Sequence, residues 1–124
     1  MAVGSRALQD NTTADANTAV GRDALNSNTT GTENVAFGAF SLDASSTGSY
    51  NTAIGTKALT ANTTASFNTA VGRVALQSTT TGANNTGVGY ATLQNNTTGA
   101  NNHAFGANAL DAVTNGSQIG RAHV

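Results

Sequence analysis

Apolar, small and polar positions recur along this chain at one fixed interval. Gly4, Gly21, Gly38, Gly55, Gly72, Gly89 and Gly106 are each separated by 17 residues. A β-branched or aromatic residue precedes each glycine: Val3, Val20, Phe37, Ile54, Val71, Val88 and Phe105. A leucine follows four residues later, at Leu8, Leu25, Leu42, Leu59, Leu76, Leu93 and Leu110. Small residues flank both columns, as at Ala19 and Ala24 or Ala53 and Ala58. Asparagine recurs at Asn17, Asn34, Asn51, Asn68, Asn85 and Asn102, and threonine at Thr13, Thr30, Thr47, Thr64, Thr81 and Thr98. Gly120, with Ile119 before it and Val124 after it, comes 14 residues beyond Gly106. The chain therefore reads as a single repeat domain, 1–124, of six 17-residue units, one 14-residue unit and a terminal half unit.

A period of 17 is too short for helical-pair repeats and suits one turn of a β-solenoid. The segment T-A-V-G-x-x-A-L is the strand region. Its β-branched residue and its leucine stand five apart, which on a straight strand puts them on opposite faces. A bend at the intervening glycine is expected to turn both inward. N-T-T-G reads as a turn, with Asn and Thr bonding nearby backbone. Ala14 and Ala65 replace its glycine, which argues against a strict positive φ there. Turns stacked about 4.8 Å apart make each column a ladder of like residues, and Asn ladders can hydrogen-bond along a stack. Each unit offers two sizeable apolar side chains against 17 residues of backbone to order. A lone thin solenoid is thus marginal, and a symmetric homo-oligomer is the simplest remedy.

Composition alone points toward a polar, low-complexity chain: 9% of its 124 residues are charged, against roughly 25% in ordinary domains. The ordered columns overturn that reading. A net charge of −1 gives no electrostatic attraction to nucleic acid or to an anionic membrane. With no Cys there are no disulfides and no thiolate metal sites. No apolar run approaches a membrane span, so no direct membrane insertion is expected, and MAVGSRALQD lacks the features of a signal peptide.

The repeats N-T-A-V-G-R-D-A-L (17–25), N-T-A-I-G-T-K-A-L (51–59) and N-T-A-V-G-R-V-A-L (68–76) resemble the head repeats of YadA-like trimeric autotransporter adhesins. Similar repeats occur in phage tail fibres and other bacterial trimeric fibres, and the resemblance covers essentially the whole chain. It implies an all-β fold: a left-handed parallel β-roll, a β-solenoid with 17-residue turns, assembled as a homotrimer. The Val/Ile/Phe and Leu columns would then fill the roll and the trimer core. It also implies a structural and adhesive role outside the cell, on a bacterial surface or a virion fibre, as a segment of a longer chain. A host-cell surface protein or glycan would be the receptor. The family's commonest period is 14, met here only from Gly106 to Gly120, so the present unit implies a loop longer by three residues.

No catalytic constellation emerges, and neither enzymatic activity nor a cofactor is expected. Asp10, Asp15, Asp23, Glu33, Asp43 and Asp111 scatter over several columns and do not form the Asp-rich Gly repeats of calcium-binding rolls. His103 and His123 fall in different columns, without a metal-ligand partner. Gly87-Val88-Gly89 lacks the next glycine of a dinucleotide fingerprint, and Gly87 simply replaces the usual alanine. Recognition is left to the variable positions. Phe40, Tyr50, Phe67 and Tyr90 are the candidate binding residues, and Tyr50 and Phe67, in one column of successive turns, are expected to stack. Two alternatives remain: a passive self-assembling fibre spacer, or an ice-binding solenoid using Thr12, Thr29, Thr63, Thr80 and Thr97, an array that Ser46 interrupts.

Overall fold

The computed structural model describes residues 1–117 and 120–122. Eight short strands appear at the expected interval: β1 (Ala2–Val3), β2 (Thr18–Val20), β3 (Val35–Phe37), β4 (Thr52–Ile54), β5 (Thr69–Val71), β6 (Thr86–Val88), β7 (His103–Phe105) and β8 (Gly120–Ala122). They form one parallel sheet in chain order, each strand pairing with the next. Registers are constant, with Ala19 opposite Ala36, Ala36 opposite Ala53 and Ala53 opposite Ala70. Each connection returns the chain to the same edge of its own strand. The result is a parallel β-solenoid of about six turns, in which like residues stack in columns.

The strand is shorter than expected, because it ends at the Val/Ile/Phe residue. The glycine that follows has φ between 108° and 138°. An added Cβ on Gly38 would also lie 2.6 Å from the Gly55 carbonyl carbon of the next turn. Only glycine satisfies both conditions. Beyond it, two non-glycine columns adopt left-handed backbone: the Arg6 column (φ 54–60°) and the leucine column (φ 48–53°). A third, the Ala16 column (φ 57–62°), turns the chain back toward the strand. Inter-turn hydrogen bonding continues through these bends, as in Leu42 N–H to Ala58 O at 3.1 Å and Leu59 N–H to Ala75 O at 3.0 Å. The strain of left-handed L-residues is distributed over every turn and opposed by that ladder.

The core is narrow. Leu25, Leu42, Leu59, Leu76 and Leu93 are fully buried, facing the strand alanines Ala19, Ala36, Ala53, Ala70 and Ala104 and the column of Ala24, Ala58 and Ala75. Thr92 stands in that last column, and a Cβ at Gly87 would lie 2.9 Å from its Oγ1. Gly87 therefore makes room for a side chain larger than alanine.

Two polar columns complete the interior. From Asn17 to Asn85, each Asn of the column accepts the backbone N–H of the Asn one turn on. Its own amide donates to a carbonyl 14 residues ahead. For Asn51, Asn68 N–H reaches Oδ1 at 3.0 Å and Nδ2 reaches Ala65 O at 2.8 Å. The turn asparagines bond locally as expected, Asn28 to Gly31 O at 2.9 Å and Asn96 to Gly99 O at 3.0 Å. The glycines after the Thr13 column do not take positive φ, as Ala14 and Ala65 foretold. In the glycine turns the next turn's carbonyl lies where a Cβ would go, and the alanine turns at Ala14 and Ala65 bury a single methyl there.

The register differs from the sequence alignment at the last strand. Gly120 lies opposite His103, not Gly106, so β8 keeps the 17-residue step where a 14-residue unit was expected. The bends through Gly116 and Ser117 follow the longer template. Asn102 Nδ2 donates to Gly116 O at 2.6 Å and Ala100 N–H to Ser117 Oγ at 3.1 Å. The loop is therefore not shortened before the strand. Ile119, His123 and Val124 lie outside the described residues.

Candidate functional site

In β2 to β7 the middle residue faces the core and the outer two face away, as strand alternation requires. The Val/Ile/Phe column is therefore external, which corrects the expectation that it fills the roll with the leucines. A bend placed after the residue cannot reverse a side chain already set by the pleat. Val3, Phe37, Ile54 and Phe105 are 54%, 56%, 40% and 50% exposed, and Val20, Val71 and Val88 are half-buried. The parallel outer column carries Thr18, Val35, Thr52, Thr69, Thr86 and His103. Neither column holds an acidic residue, Lys or Arg, so an apolar stripe runs along the sheet from β1 to β7. Exposed apolar stripes of this kind are commonly covered by association.

Two exposed columns flank this face. On the side entering the strand stand Ala16, Glu33, Tyr50, Phe67, Asn84 and Asn101; on the leaving side stand Arg22, Ala39, Thr56, Arg73, Tyr90 and Ala107. Tyr50 and Phe67 stack as their spacing predicted, with ring centroids 5.0 Å apart and planes 2° from parallel. Tyr90 lies on the opposite flank beneath Arg73, whose guanidinium carbon is 5.9 Å from its ring centre. Phe40 is half-buried in the left-handed Arg6 column, with the Arg22 guanidinium 4.6 Å over its ring. The four aromatic candidates therefore do not form one site. One pair is assembled, and the other two are separate rings each capped by an arginine.

The stripe was missed in the sequence, although T-A-V carries its signature: a small residue between two larger ones, at period two. An ion cluster on the leaving side was also missed. Arg6 Nε and Nη2 hold the two Asp23 carboxylate oxygens at 2.7 and 2.9 Å, and Arg22 Nε lies 3.5 Å from Asp23. Arg6 and Asp23 are 17 residues apart, so opposite charge in one column was the available signal. Asp43 lies close by with a buried Oδ1 that has no hydrogen-bond partner. Burial pushes its carboxyl above the ordinary aspartate value. Backbone donors at Ala44 and Asp43 oppose the rise, the Asp23 charge adds to it and Lys57 counters.

The threonine columns divide by role. Hydroxyls of Thr12, Thr29, Ser46, Thr63 and Thr80 each donate to a carbonyl of the next turn, for example Thr29 to Ser46 O at 3.0 Å. Ser46 therefore preserves this ladder and does not break it. The adjoining column, Thr13, Thr30, Thr47, Thr64, Thr81 and Thr98, is exposed throughout. Among the described residues no group of three or more His, Asp or Glu is placed to hold a metal ion, and no helix is long and apolar enough to cross a membrane. No family model, curated protein or solved structure matches this chain.

Proposed function

We propose that this chain is a structural and adhesive segment of a homotrimeric fibre, extracellular on a bacterial surface or a virion. It attaches to a host-cell protein or glycan through many weak non-covalent contacts, and it is not an enzyme. The observation that carries this reading is the uncharged apolar stripe from Val3 to Phe105 on the outer face of the sheet. Covering a half-exposed Val, Ile or Phe contributes about 1 kcal/mol per turn, and the contribution repeats at each turn. Three parallel copies, related by a three-fold axis along the solenoid, bring identical turns to the same level and cover the stripe on all copies at once. The resemblance of N-T-A-V-G-R-D-A-L and its repeats to trimeric adhesin heads supports the same arrangement, with the left-handed roll of that family. A rigid trimer displays each variable residue three times, and such multivalency strengthens attachment without a deep pocket. Light scattering coupled to size exclusion tests the assembly. A species of three times 12.3 kDa is expected, and a folded monomer refutes the fibre reading.

The exposed row from Thr13 to Thr98 favours one second reading, an ice-binding face of evenly spaced hydroxyls. Thermal hysteresis of the folded protein, lost in a Thr47→Lys/Thr64→Lys variant, would select it. Unperturbed ice growth at millimolar protein removes it.

A further inference from the structure

From the two flanking columns we infer that copies of this chain meet flank to flank: the entering side of one copy seats against the leaving side of the next, turn by turn. The inference rests on the trimeric reading above and adds to it which residues make the seam. In a parallel ring each contact is heterologous, so the two flanks need only complement each other, not themselves. They do so in both size and charge. Glu33 on one flank is matched in its own turn by Ala39 on the other, and Tyr50 by Thr56. Tyr50, the first ring of the stacked pair, thus projects where the opposing flank is narrow. Where both sides are large, Phe67 meets Arg73, a ring against a guanidinium, which attract one another. Arg22, one turn below Ala39, brings a positive charge toward Glu33, the only acid in either flank among the described residues. All these positions except the half-buried Ala39 are exposed in the single chain. The apolar stripe would lie inside this seam, giving the interface an apolar centre and a polar, ion-paired rim.

The chain has no Cys, so introduced thiols report on the seam directly. Within one copy, residues 33 and 39 are held roughly 15–20 Å apart by the strand between them, beyond a short bismaleimide. Across the seam they face each other. The full chain carrying Glu33→Cys and Ala39→Cys is expected to give a covalent trimer with a short bismaleimide on a denaturing gel, whereas each single variant gives none. A species of trimer mass in solution without this double-variant product overturns the seam and leaves the fibre reading standing. Covalent dimers from Glu33→Cys alone would mean a two-fold, face-to-face pairing and overturn the seam. A monomer by light scattering overturns both.

Discussion

Asn51 offers the sharpest test of what holds one turn on the next. Its side chain is fully buried and serves two backbone groups at once, the Asn68 N–H at 3.0 Å and the Ala65 carbonyl at 2.8 Å. Asn51→Ala leaves both groups without these partners, in a place water does not reach. The Ala65 carbonyl keeps Asn62 Nδ2 at 3.1 Å, so only the Asn68 N–H is orphaned; that costs about 1–3 kcal/mol and the second lost bond about 1 more, for an expected loss of about 2–4 kcal/mol. Asn51→Asp separates the two halves: the carboxylate still accepts from Asn68 N–H but opposes the Ala65 carbonyl, so most of the loss should persist at neutral pH. Thr64→Ala, one column from the buried Ala65 but exposed and with a free hydroxyl, is the control, expected within about 0.5 kcal/mol of the parent. Urea unfolding followed by circular dichroism at fixed protein concentration reads the global loss. Repeat arrays unfold in pieces, so amide exchange at Asn68 should be read beside it. A loss below about 1 kcal/mol with Asn68 still protected would refute the ladder as the element that sets the register.

Other perturbations probe other columns. Gly38→Ala should abolish folding of its turn: φ is 138°, and the new Cβ would sit 2.6 Å from the Gly55 carbonyl carbon, a clash visible as lost amide protection at Gly55. Leu59→Ala removes a fully buried side chain from a one-leucine-wide core and should cost about 2–5 kcal/mol in urea unfolding. Asp43 has a folded-state pKa raised above 3.8, so stability should rise as pH falls through that folded value and level off below 3.8. Asn26 and Thr60, one turn either side of it, donate to the carbonyls of Arg6 and Phe40, which a carboxylate cannot imitate. Asp43→Asn should therefore raise the urea midpoint at neutral pH and flatten that acid-side rise; an unchanged pH profile would remove Asp43 as its source.

The solenoid was legible because its signal is a period, and a period survives ignorance of local conformation. Seven aligned glycines fix the turn length, and the asparagine column announces a ladder. The direction of the Val/Ile/Phe residues was not legible from the five-residue spacing to leucine. That spacing is resolved by left-handed backbone at Asp23 and Leu25, Phe40 and Leu42, Lys57 and Leu59. Nothing in a phenylalanine or lysine announces a positive φ, which such side chains seldom adopt, and an aspartate tolerates it without requiring it. The stacking of backbone ladders imposes it. The Tyr50–Phe67 stack needed only column arithmetic and was foreseen. Column arithmetic also keeps Phe40 and Tyr90 apart from it, whereas the arginine over each of their rings was not foreseen.

The same bends explain why the sheet has one covered and one uncovered face. Each turn has room inside for a single leucine and small residues, so the strand must present alanine or glycine inward: Ala19, Ala36, Ala53, Ala70, Gly87, Ala104. β-branched residues, which the strand conformation favours, can then stand only on the outer pleat. An outward Val, Phe or Ile at every turn is thus a geometric consequence of a thin core. For a chain on its own it is also a standing liability, because the stripe grows with each repeat added. Association through that face turns the liability into a contribution of the same sign per turn, so longer arrays would assemble more firmly than short ones. This predicts a dependence that a monomeric solenoid cannot produce. Excising one turn, residues 52–68, so that Asn51 is followed by Thr69 in the same column, should raise the concentration at which the assembly dissociates in dilution light scattering. A midpoint independent of turn number would show that the stripe is not what joins the copies.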